Sequence, residues 1–302
     1  MMRTSTRQVL GVLAAVLLVA AGCGDDDDDT SDPGGEAVTV GAIDYAFTDL
    51  PAELEAGTFE FTLANEGKVD HEIALVEIGD TDVEQFFIDF GPVIEEGAAF
   101  PDYVGDLVGA VEVPPSESGS FVFTLTEGSY IAFCALTGDA DNPESEEDGA
   151  PHFAEGMQQP VTVTAGQTAV LPDGDGSITA SDYTFDVDID AGDSVINFAN
   201  DGPNDHFAGI DVYPEGTTVE DAEAGFATLL QTEEGQEPPA GTPMGEELAF
   251  SGIASDGLGV QFTMPEAFES GRTYLLYCFL QDRTGGPPHA IGNQMFKAFT
   301  VE

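Results

Sequence analysis

Four histidines and three cysteines are all that the 302 residues contain, and nearly all of them fall into one repeated order. His71, Cys134 and His152 come first, then His206, Cys278 and His289, and each second histidine is soon followed by a methionine, Met157 or Met295. Imidazole, thiolate and thioether groups are metal donors, so each set is a candidate metal site. A cysteine ending an apolar strand such as Tyr274-Leu275-Leu276-Tyr277-Cys278 is commonly plain core filling. Filling explains one such residue better than it explains two ordered sets with no histidine left over, although a site that had lost its metal would leave the same trace. A Cys134–Cys278 disulfide would need equivalent loops of two domains to meet within about 7 Å between Cα atoms, and is not expected.

The sets sit inside an internal repeat. Asp44-Tyr45-Ala46-Phe47 returns as Asp182-Tyr183-Thr184-Phe185, and Ala64-Asn65-Glu66-Gly67-Lys68-Val69-Asp70-His71 returns as Ala199-Asn200-Asp201-Gly202-Pro203-Asn204-Asp205-His206. Tyr130 to Cys134 mirrors Tyr274 to Cys278, and Gly149-Ala150-Pro151-His152 mirrors Gly286-Pro287-Pro288-His289. Segments such as Phe59 to Leu63 and Phe121 to Leu125 alternate with the period of half-buried strands, punctuated by Gly, Pro and Asn, which is the texture of an antiparallel sandwich. Val83 to Phe90 and Thr218 to Gln231 read instead as helices inserted after the first histidine of each repeat. Each repeat closes on a strand, Pro160 to Thr164 and Phe296 to Val301. The turn-rich stretch around Pro172-Asp173-Gly174-Asp175-Gly176 separates them, giving a first domain over 37–165, a linker over 166–171 and a second domain over 172–302. Its resemblance to a calcium loop fails at Thr184, where the bidentate Glu would be required.

The order His, Cys, His, Met, kept twice, resembles the cupredoxins, the blue-copper family of Greek-key β-sandwiches. The resemblance implies an all-β chain of two tandem cupredoxin-like sandwiches with short helical insertions. It also implies copper held by His71, Cys134, His152 and Met157 in the first domain and by His206, Cys278, His289 and Met295 in the second. Two imidazoles and a thiolate with a weak axial thioether suit both copper oxidation states. Two departures stand out. In many blue-copper proteins only a few residues separate the Cys from the second His, whereas 17 do so in the first domain and 10 in the second; the shorter loop makes the second domain the favoured copper site. The residue after the first His, often Asn in the family, is Glu72 or Phe207 here, so the support around the thiolate differs.

The N-terminus reads as an export signal over 1–22. Arg3 and Arg7 precede an apolar run from Val9 to Ala21, which is shorter than the roughly 20 residues of a membrane span. Val19-Ala20-Ala21-Gly22-Cys23 resembles a bacterial lipobox, which implies acylation of Cys23 and a lipid anchor on the extracytoplasmic face of the cell membrane. Residues 23–36, rich in Asp, form an acidic tether. Losing Arg3 and Arg7 with the signal leaves 4 basic residues against 58 acidic ones, a net charge of −54. Such self-repulsion opposes compaction unless screened, so a halophilic, high-salt setting is expected. Nucleic acid is excluded as a partner because phosphate contacts need a Lys/Arg footprint. No Gly-x-Ser-x-Gly, His-Glu-x-x-His or phosphate-loop motif supports hydrolytic chemistry.

The leading expectation is therefore a membrane-anchored copper protein that passes single electrons to or from a redox protein partner, and not an enzyme. A multicopper-oxidase type of activity would need further His ligands, and all four are assigned. Copper storage or delivery uses the same ligands, and a metal-free surface lipoprotein acting as scaffold or binding module is the remaining alternative.

Overall fold

A computed structural model describes residues 35–302 apart from 139, 141–149, 169 and 233–235. The signal, Cys23 and most of the acidic tether lie outside the described residues, as does nearly all of the acidic loop between Gly138 and Gly149. No helix among the described residues is long and apolar enough to cross a membrane.

The first half carries strands β1 (Glu36–Ile43), β2 (Ala46–Thr48), β3 (Glu53–Glu55), β4 (Gly57–Asn65), β5 (His71–Glu77), β6 (Leu107–Val113), β7 (Ser118–Leu125), β8 (Gly128–Phe133) and β9 (Gln158–Thr164), with helix α1 (Val83–Glu96) between β5 and β6. The second half repeats the theme with β10 (Gly176–Ser181), β11 (Thr184–Asp188), β12 (Val195–Asn200), β13 (Gly209–Val212), β14 (Glu246–Phe250), β15 (Gly259–Thr263), β16 (Thr273–Tyr277) and β17 (Phe296–Thr300). Helix α2 (Val219–Leu230) follows β13, and a one-turn helix α3 (His289–Gly292) precedes β17. The chain is all-β with short helical insertions, as expected.

Each half is a sandwich of two sheets. In the first, β7-β4-β1-β2 faces β3-β9-β8-β5-β6; in the second, β11-β10-β12-β15 faces β14-β13-β16-β17. The parallel pair β1/β4 recurs as β10/β12. A feature absent from the sequence reading is that β7 and β15 pair antiparallel through Phe123↔Val260 and Val122↔Gln261, so one sheet of each sandwich joins into a single sheet of eight strands.

Strand alternation explains how the ligands come to face inward. On β8, Tyr130 and Ala132 point into the sandwich, and continuing the alternation carries Cys134 there too, whereas Ile131 and Phe133 point outward beneath α1. On β16, Tyr274 and Leu276 point inward, as Cys278 then does, while Leu275 packs beneath α2. The helices cover faces that would otherwise leave apolar side chains in water, which is why β5 and β8 are buried on both sides.

Helix α1 runs six residues beyond the expected end at Phe90. Pro92 and Ile88 are both exposed, so the carbonyl that loses its donor lies on the solvent side, and Phe86, Phe90 and Val93 continue the apolar stripe through it. The helix stops at Gly97, whose φ of 66° favours glycine. Helix α2 starts one residue after the expected Thr218, which caps it through a bond from Asp221 N–H to its hydroxyl.

Candidate metal centres

His71 opens β5, and Cys134 follows the last residue of β8. His152 begins a turn of 3-10 helix over His152–Glu155. All three are buried, and their ligand atoms lie within 4.8 Å of one another. Cys134 Sγ stands 3.3 Å from His152 Nδ1, which is 3.2 Å from His71 Nδ1. In the second half His206, Cys278 and His289 converge in the same way, with Cys278 Sγ 3.6 Å from His289 Nδ1 and the two imidazole rings 4.8 Å apart between centroids. Three donors held about 2.0–2.3 Å from one ion in a trigonal plane are roughly 3.5–4 Å from each other, so both sets are spaced for an ion, the first slightly tight.

The long Cys-to-His loops return by the same route twice. His152 N–H donates to Leu136 O and Phe153 N–H to Cys134 O; His289 N–H donates to Leu280 O and Ala290 N–H to Cys278 O. The loops differ in length outside these bonds but are pinched shut by them, so loop length does not separate the two sites. The methionines are fixed likewise. Met157 N–H donates to His152 O and Cys134 N–H to Met157 O, a pairing that Met295 repeats with His289 and Cys278. Both methionines are fully buried beside the sets.

The protonation states suit metal binding. Burial, reinforced by the neighbouring second imidazole, pulls His71 and His206 down to about 4, and burial lowers His152 and His289 as well, so the rings are neutral near pH 7. Burial pushes both thiols up to about 12 in the absence of a cation. Nε2 of His71 and His152 and both ring nitrogens of His206 are buried with no hydrogen-bond partner. A ring nitrogen left without a partner in a protein interior is costly, and an ion at Nδ1 would satisfy one of the two in His206. His289 is oriented differently: its Nε2 meets Asp282 Oδ1 at 3.2 Å, which leaves Nδ1 as the lone pair facing the thiol. Each sulfur also faces a backbone N–H from the residue after the first histidine. Glu72 N–H reaches Cys134 Sγ at 3.4 Å, and Phe207 N–H does so at Cys278. A backbone donor stands at the position where the family's Asn was expected to matter.

Several supporting residues escaped the sequence reading as site residues. Asn65 donates to Val69 O and Val113 O and accepts from Gly67 N–H, tying down the loop before His71; Asn200 does the same with Asn204 O, Ala254 O and Gly202 N–H before His206. Tyr45 and Tyr183 lay their rings against His152 and His289 at 5.3 and 5.2 Å. All four belong to the repeat matches, which was the available signal. Glu72, whose carboxylate accepts from Ala135 N–H, is raised to about 7 by burial. It lines a cavity of about 420 Å³ between the halves, together with Ala135 from the first set's strand end and Leu280 and Pro288 from the second set's loop.

No protein-family model matches the chain, and no curated protein matches it. Among solved structures, the auracyanin A "blue" copper protein from Chloroflexus aurantiacus is 19% identical at a TM-score of 0.30, covering 43% of this chain and 100% of that one. Dithionite-reduced auracyanin from Roseiflexus castenholzii is 20% identical at 0.28, over 43% of this chain and 99% of its own. A blue copper oxidase from Nitrosomonas europaea is 11% identical at 0.24, over 88% and 85%. The chain resembles blue copper proteins and multicopper oxidases. At these scores the likeness carries no weight for function, and the fit to type 1 copper stands on the ligand atoms themselves: each of the two buried His–Cys–His groups can hold a metal.

Proposed function

We propose that the chain binds one copper ion at each His–Cys–His set, which Met157 and Met295 would help to hold, and carries single electrons. The observation that supports this most directly is the second occurrence of the same buried donor set, with the same four backbone bonds closing the loop. Copper would supply the redox change. The protein's part is to hold neutral imidazoles and a shielded sulfur in a scaffold that barely rearranges. We read the chain as a carrier and not an enzyme, because its four histidines leave none to build a further copper cluster. The lipobox-like sequence around Cys23 supports anchoring at the extracytoplasmic face of a membrane, where a protein redox partner would meet it.

Loading the purified chain with Cu(II) is expected to give an intense thiolate-to-copper absorption in the visible and two coppers per chain. Cys134→Ser and Cys278→Ser should each remove one copper. A colourless chain that takes up no copper at either set would sink this reading and leave a scaffold function.

A further inference from the structure

The second ligand set is built against the first half of the molecule. Arg283 lies in the loop between Cys278 and His289, and its guanidinium reaches in two directions. Its Nε and Nη2 donate to both carboxylate oxygens of Asp205, the residue before His206, at 3.0 and 2.8 Å. Its Nη1 and Nη2 donate to Val104 O and Gly105 O of the first half, at 2.8 and 2.7 Å. Asp205 is only 3% exposed. It also accepts from Ser255, whose hydroxyl is in turn bonded to the backbone of Leu107. The same loop is tied to the first half twice more, through Gln281 Nε2 to Ala98 O and Phe100 N–H to Arg283 O. Phe100 lies against the guanidinium at 5.7 Å from its ring centroid.

One side chain therefore joins three things that must keep their relative places: the loop delivering His289, the residue preceding His206, and the backbone of the other half. A planar fork with five donors can do this, whereas a lysine can reach only part of the set. We propose that Arg283 is a positioning residue of the second His–Cys–His set, locking its two histidine-bearing segments in register by clamping both to the first half of the chain. Its relevance to copper rests on the function proposed above, but the clamp itself is a property of the metal-free protein.

The test uses the full chain without metal and follows alkylation of Cys278 and Cys134 separately by peptide mapping. Both thiols are fully buried, so each reacts through local opening around its own site. Arg283→Lys is expected to speed Cys278 labelling about tenfold while Cys134 changes less than about twofold. Gln281→Ala, which cuts a second tie without leaving a buried charge, should act in the same direction more weakly. Unchanged Cys278 labelling in Arg283→Lys would overturn the proposal, and so would an equal rise at Cys134, which marks general loosening. In a Cys134→Ser background loaded with Cu(II), Arg283→Lys should also shift the electron paramagnetic signal of the second site. If that parent takes up no copper while the thiol rates behave as expected, the clamp stands and the copper reading falls.

Discussion

The side chains at the two sets are already in the protonation states that copper demands, with one exception at each. With His71 and His206 near 4, neither imidazole carries a proton to displace at neutral pH. The thiols, pushed up to about 12, each hold one. Copper binding between pH 6 and 8 should therefore release about one proton per ion from sulfur. At the first set, Glu72 at about 7 adjoins the thiolate loop and should add a fraction as the cation lowers its affinity for protons. Calorimetric titration in buffers of different ionisation enthalpy measures this count; release near three protons per ion would mean the histidines start protonated. The ligands were legible in the sequence because His and Cys are scarce in it. Asp282, which orients His289, was not, because one carboxylate among 58 carries no signal. Arg283 could have been noticed on the opposite ground, as one of only 6 basic residues in the chain.

At the scale of elements, the strands were readable wherever one face is buried and the other wet. Phe59 to Leu63 alternates cleanly within β4, and Phe121 to Phe123 does so within β7, after which Thr124 is buried as well. Where helices cover the outer face, as at β5 and β8, alternation gives way to a continuous apolar run, and the two inserted helices had to be inferred from their own periodicity. The end of α1 was misplaced because Gly91-Pro92 looks like a stop, and only the exposure of Ile88 and Pro92 makes it passable. The helix is anchored by Phe86, fully buried and stacked on Phe90 at 4.8 Å. Phe86→Ala should cost about 3–5 kcal/mol by chemical denaturation, by removing aromatic contact and leaving a cavity. Because Phe86 packs on the outer face of the sheet, the visible spectrum of a copper-loaded variant should stay at its parent position. A large spectral change would mean that α1 shapes the site itself.

Across the whole molecule, charge and the joined sheet dominate. Among the described residues the 4 basic ones, Lys68, Arg272, Arg283 and Lys297, each meet a carboxylate or a backbone carbonyl, which leaves most of the acidic excess to repel itself. Raising KCl from 0.1 M to 2 M shortens the screening length from about 10 Å to under 3 Å. The melting temperature should then rise by roughly 10 °C, the equivalent of a few kcal/mol in a chain of this size. A melting temperature that ignores salt in scanning calorimetry would show that the carboxylates are not the destabilising burden inferred from composition. The pairing of β7 with β15 left no trace in the sequence, because strand edges pair through backbone groups that every residue carries. In concentrated brine the charge that would keep neighbouring molecules apart is screened, and an open strand edge is then an invitation to assemble into fibres and precipitates. By turning these two edges toward each other, the tandem arrangement removes one sticky border from each half and protects solubility where charge no longer can.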